Sequence, residues 1–269
     1  MPSDKQWPPQ LEEPVRLFFL HVLRTLEEAD APFLVGGAYA LHHHTGIVRN
    51  TKDFDLFVRR EDYDSITSIL NASGCDTQLT YPHWLGKVTS ANALVDVIFS
   101  SGNGISVVDD EWFRYAATGH VFDRPVKLCP PEEMIWSKAF VTERERYDGA
   151  DVMHLLLACA RTLDWDRLLR RFGEHWRVLL SHLCLFGFIY PSERNRIPEW
   201  AMTALMGRLE EEIHSPPSSR RICQGTLVSR EQYLPDLEQW GFEDARLTMP
   251  NAMTQDEIAE WTQAINRKG

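Results

Sequence analysis

The reading turns on three stretches: Leu34-Val35-Gly36-Gly37, then Asp53-Phe54-Asp55-Leu56-Phe57-Val58, then Leu94-Val95-Asp96-Val97-Ile98-Phe99. The apolar run Phe33 to Val35, ending in two glycines, predicts a strand, a tight turn and a helix. Asp53 to Val58 alternates as a strand does. Residues i and i+2 of a strand project from one face, so Asp53 and Asp55 present two carboxylates side by side. Asp96 is a lone charge in an apolar strand, where burial without a partner is expensive. Hard divalent cations prefer oxygen ligands, so the Asp53/Asp55 pair is a candidate for one ion or two, and a metal is a sufficient partner for Asp96. Carboxylates from two neighbouring strands can hold two ions about 3.5–4 Å apart, a spacing that clamps the attacking and leaving oxygens of phosphoryl transfer. The Gly36-Gly37 turn lets backbone N–H groups approach phosphate oxygens with no side chain in the way. Taken singly, a D-x-D is more often a solvated strand face and a Gly-Gly a plain turn, while a lone Asp such as Asp96 is as readily a hydrogen-bonded structural carboxylate. Their occurrence together, in order and each on a fitting element, points to a metal and polyphosphate site.

Outward from these stretches, an apolar stripe through Leu17, Leu20, Val22, Leu23 and Leu26 predicts a first helix over about Glu12 to Glu28, with Pro14 in its first turn. A helix from about Arg60 to Ala72, strands at Thr77 to Tyr81 and Trp84 to Val88, and the Asp96 strand over Ala93 to Phe99 follow. From Pro130 onward helical periodicity takes over, at Glu132 to Glu145, Ala150 to Arg161, Trp165 to Phe172, Trp176 to Phe188 and Glu199 to Ile213. His214 to Ser219 has the composition of a linker, and a last helix is expected from about Gln255 to Asn266. The organisation read from this is a catalytic domain over 1–129, a helical domain over 130–213, and a linker with a C-terminal extension over 214–269.

At 269 residues and 43% hydrophobic content the chain can bury a full core. No apolar stretch approaches the roughly 18–20 residues of a membrane span, and Met1 to Gln10 lacks the apolar core of a signal peptide, so a cytoplasmic protein that does not engage a membrane is expected. Five scattered cysteines, with no C-x-x-C pair, imply reduced structural thiols. A formal net charge of -11 counts against broad binding to a nucleic-acid backbone, where affinity comes largely from Lys and Arg. His42-His43-His44 is not a metal site on a helix, because consecutive residues diverge by about 100°. The nine tryptophans mostly fall where helices would pack, Trp165, Trp176, Trp200 and Trp240 among them, and Trp84 reads as core, with lining the active site its lesser option.

Leu34-Val35-Gly36-Gly37, followed by Arg49-Asn50-Thr51-Lys52-Asp53-Phe54-Asp55-Leu56, resembles the signature of the DNA polymerase beta-like nucleotidyltransferases, and Asp96 matches their third carboxylate. The likeness is to the bacterial stand-alone group of aminoglycoside nucleotidyltransferases and abortive-infection toxins. It covers Phe33 to Phe99, and more loosely Lys138 to Asp151. It implies an α+β fold, a mixed β-sheet flanked by helices and followed by a mostly helical C-terminal part. It also implies Asp53, Asp55 and Asp96 as metal-binding and catalytic residues, with Mg²⁺ or Mn²⁺ as cofactor and an NTP as co-substrate. Gly36 and Gly37 then contact the phosphates. Many relatives carry a Ser after the first glycine; here Gly37 and Ala38 offer no hydroxyl, so cations must help, and Arg49, Lys52 and Lys138 are the candidates.

The function expected is transfer of NMP to an acceptor hydroxyl, with a small molecule favoured over nucleic acid or protein. A toxin or effector modifying tRNA or a protein is the alternative, motivated by Arg161, Arg167, Arg170, Arg171 and Arg177 in the helical half. A non-catalytic nucleotide- or partner-binding module is a third. Asp148 and Asp151 are expected to cap the next helix, with acceptor binding a lesser option for Asp148.

Overall fold

The computed structural model describes residues 11–49, 51, 53–90 and 93–263. Lys52, Asn50 of the same motif, and the end of the expected last helix lie outside the described residues. The chain divides into two compact units, Met1–Pro130 and Pro131–Gly269.

The first unit is built on a seven-stranded mixed sheet, in the order β3-β4-β5-β2-β1-β7-β6. Helix α1 (Glu13–Glu28) leads into the short β1 (Leu34–Val35), the glycine turn and α2 (Gly37–Thr45). Then come β2 (Asp53–Phe57), α3 (Tyr63–Ala72), β3 (Asp76–Tyr81), β4 (Leu85–Ser90) and β5 (Ala93–Ile98). A short α4 (Asp110–Arg114) precedes the hairpin β6 (Ala117–Val121) and β7 (Arg124–Leu128). β1 runs antiparallel to β2 and parallel to β7, while β2 and β5 are parallel.

Burial alternates with the pleat. Phe54, Leu56, Val88, Val95 and Val97 are fully buried on one face, where Phe19 of α1 stacks on Phe54 with ring centroids 4.9 Å apart. The apolar stripe of α1, through Phe19, Val22, Leu23 and Leu26, is buried with them. The odd-numbered positions of β2 and the even-numbered ones of β5 carry the polar face.

The β6–β7 hairpin had no signature in the sequence reading. Its turn is Phe122-Asp123, both at positive φ (52° and 61°), without the Gly that usually marks such turns. Phe122 is held there by ring contacts with Tyr39, Phe19 and Phe54.

The second unit contains α5 (Pro131–Ala139), α6 (Gly149–Cys159), α7 (Trp165–Phe172), α8 (Trp176–Ile189) and α9 (Glu199–Ile213). A two-residue parallel pair, β8 (Ile222–Cys223) with β9 (Glu243–Asp244), follows, together with α10 (Leu234–Glu238) and α11 (Gln255–Gln263). α5 stops at Ala139, well short of the expected Glu145. Beyond it the Thr142 amide donates to Val228 O at 3.0 Å and the Asp148 amide to Val141 O at 3.1 Å, so those donors leave the helical ladder. Trp165 is buried and donates to Ala160 O at 2.8 Å, whereas Trp200 and Trp240, expected to pack, are 48% and 62% exposed. All five cysteines are free. Among the described residues no helix is long and apolar enough to cross a membrane.

Candidate active site

The three aspartates share a face. In the parallel β2–β5 pairing Asp55 stands directly opposite Asp96, and Asp53 stands opposite Leu94. Neighbouring strands lie about 4.8 Å apart, and directly opposed residues point the same way, so Asp96 sits beside Asp55 with Asp53 two residues along. Had β5 slipped by one residue, Asp96 would face the apolar side. Asp53 is exposed and Asp55 half-buried, a gradient leading from solvent into the sheet. Toward the inner end of this face Phe57 stacks on the fully buried Trp112 of α4, with centroids 5.2 Å apart.

The glycine turn lies against this face, and its composition has a steric cause. Gly37 has φ +51°, and a Cβ built there would stand 1.7 Å from Asp55 Oδ2. A Cβ at Gly36 would meet the Phe57 ring at 2.2 Å. The Gly36 amide donates to Asp55 O at 2.9 Å, which locks the turn to the D-x-D strand. The glycines therefore bring the first turn of α2 against Asp55. That helix start has no side-chain cap, so its leading N–H groups are the orphan donors that suit an anion. Within α2, burial and the nearby Asp55 charge push the Tyr39 phenol far above its usual pKa.

Asp96 has a cationic neighbour that alternation within its own strand does not reveal. Lys87 stands directly opposite it in the antiparallel β4–β5 pairing, with Nζ 3.6 Å from Asp96 Oδ1. A metal is not needed to explain a carboxylate in this strand. Lys87 escaped notice because pairing register, unlike alternation, is not written in one strand's sequence.

The candidate cations fall in different places. Arg49 is half-buried in the loop between α2 and β2. Lys52 lies outside the described residues. Lys138 belongs to the second unit, where its Nζ is 3.1 Å from Asp148 Oδ2 and 2.8 Å from Asp151 Oδ2. Asp148 occupies the N-cap position of α6 but makes no side-chain cap bond, since its carboxylate is turned to Lys138 and Arg146. Burial works to raise its pKa, but those two cations prevail and hold it below the usual Asp value.

The arginines of the helical unit are largely engaged. Arg167 is buried and binds Glu132 and Glu133, Arg171 binds Glu133, and Arg177 binds Glu212. His42 and His44 end α2 and contact the carbonyls of Ile47 and Cys129, at 3.3 and 2.9 Å. Among the described residues no group of three His, Cys, Asp or Glu side chains forms a ready metal cage. Mg²⁺ does not require one, being commonly held by one or two carboxylates together with substrate phosphates and water. The donor set of the Asp53/Asp55 pair fits that pattern.

The chain matches no protein-family model and no curated protein. Among solved structures it is similar to the antibiotic-resistance factor ANT(2'')-Ia, at 20% identity and a TM-score of 0.44 over 63% of this chain and 96% of that one. It is also similar to the lincomycin-bound lincosamide antibiotic adenylyltransferase LnuA, at 15% identity and 0.38 over 55% and 98%. A third is an antigenic nucleotidyltransferase-like protein from Paracoccidioides brasiliensis, at 17% and 0.37 over 64% and 93%. These are partial backbone likenesses, and the functional reading rests on the side chains of the carboxylate face.

Proposed function

We propose that this chain is a divalent-metal-dependent nucleotidyltransferase that moves NMP from an NTP to a hydroxyl on a small-molecule acceptor. The observation that carries the reading is the register of β2 and β5, which sets Asp55 opposite Asp96 on the face bearing Asp53, with the Gly36-Gly37 turn pressed against Asp55. Asp53 and Asp55 would hold Mg²⁺ or Mn²⁺, which supplies charge neutralisation at the phosphates when bound. The leading N–H groups of α2 receive phosphate oxygens, and Arg49 and Lys52, which precede the D-x-D in the sequence, add positive charge. Asp96 orients the acceptor hydroxyl and takes up its proton. The acceptor oxygen bonds to the α-phosphorus as the bond from that phosphorus to the bridging oxygen breaks, and pyrophosphate leaves. Most of the acceleration then comes from positioning and electrostatics.

A small acceptor is favoured by the net charge of -11 and by the arginines of the second unit, where Arg167 and Arg171 are committed to Glu132 and Glu133. The test is incubation with labelled NTPs, Mg²⁺ and separate panels of hydroxylated small molecules, tRNA and protein. Label is expected on a small molecule, with Asp53→Asn and Asp55→Asn each lowering transfer by about 10²-fold or more. Undiminished transfer by both variants would dismiss the site, and label on tRNA or protein would dismiss the acceptor class.

A further inference from the structure

Lys87, Asp96 and Asp55 form one row across β4, β5 and β2, each directly opposite the next. The ammonium lies 3.6 Å from Asp96 Oδ1, and neither side chain is freely solvated, at 32% and 19% exposure, so the pair is only partly screened. Among the described residues of β2, β4 and β5 the charged side chains are Asp53, Asp55, Asp96 and Lys87, a surplus of two negative charges on these three strands. That surplus is matched by a single divalent cation.

Building on the nucleotidyltransferase reading, we propose that Lys87 is a positioning residue whose ammonium stands in for a second divalent ion at Asp96. The chain's carboxylate face then takes one divalent cation, at Asp53 and Asp55. An ammonium held by strand register is present whatever the metal concentration, and it engages Asp96 from the β4 side, across β5 from Asp55. A second hard cation at Asp96 would have to share that carboxylate with a like charge, which is unfavourable at short range.

The test is a Mn²⁺ titration of the full-length, nucleotide-free protein, with unbound Mn²⁺ followed by EPR and folding of each variant checked by its melting transition. Wild type is expected to saturate at one ion per chain, Lys87→Arg to do the same, and Lys87→Met to take up a second. If Lys87→Met does not melt cooperatively, Lys87→Gln is measured in its place. Two ions in wild type, or one in the neutral variant, would overturn the role of Lys87 while leaving the nucleotidyltransferase reading intact. No bound ion in wild type, with Asp53→Asn indistinguishable from it, would overturn the one-ion face proposed for the free protein.

Discussion

Gly37 shows how one residue joins fold to chemistry. Its positive φ and the proximity of Asp55 Oδ2 both exclude a side chain, so the residue that shapes the turn also sets where the D-x-D carboxylate can stand. Gly37→Ala is expected to cost about 1–3 kcal/mol in backbone strain. It should also displace the Asp55 carboxylate, lowering transfer by about 10²-fold, as misplacement by about 1 Å can. Thermal melting and a transfer assay on one preparation check this, and an active Gly37→Ala would show that Asp55 need not sit where the turn puts it. At this scale the sequence was most legible. Asp53, Asp55 and Asp96 were identifiable by alternation and by the oddity of a charge in an apolar strand. Lys87 was not, because its meaning depends on which residue of β5 lies opposite it.

At the scale of elements, α5 and α7 are joined by a buried ionic network. Glu133 is fully buried and Glu132 nearly so, and both bind Arg167, with Arg171 adding to Glu133. Burial pushes the Glu133 carboxyl up to about 6 even with these arginines against it. Arg167→Met leaves two carboxylates buried without their central cation and is expected to cost about 3–5 kcal/mol. A drop in the urea midpoint reads this, and an unchanged midpoint would show the network to be dispensable. The sequence displayed these arginines as a basic stripe, since helical spacing reveals which residues share a helix but not which acids face them. Similarly, Asp148 was placed correctly at the start of α6, but its carboxylate is taken by Lys138 and Arg146 instead of the helix amides. The β6–β7 hairpin escaped altogether because Phe122 and Asp123 adopt a conformation usually reserved for Gly and Asn, held by aromatic contacts distant in sequence.

For the whole molecule, several histidines bind stability to pH. Burial lowers the pKa of His44, His175 and His182, outweighing backbone carbonyl contacts at His44 and His182 and the Glu174 charge at His175. The unfolded chain, with imidazoles near their ordinary pKa of about 6.5, takes up protons that the folded chain resists. Stability is therefore present above that value and lost as pH falls through it toward the lowered folded values. Glu133 acts in the opposite sense, but only between the ordinary Glu value of 4.5 and about 6. Melting temperature is expected to fall from pH about 7.5 to about 6, and His182→Gln to flatten part of that slope. A pH-independent melting temperature over this range would refute the assignment.

The claim beneath the whole account is that Asp53 and Asp55 gather a divalent cation beside a glycine turn that receives a polyphosphate. A crystal structure with Mn²⁺ and a non-hydrolysable NTP, read by the anomalous signal of manganese, tests it most directly. A manganese peak is expected against both carboxylates, with the phosphates lying on the leading N–H groups of α2. A bound nucleotide elsewhere, with no peak at Asp53 and Asp55, would contradict it.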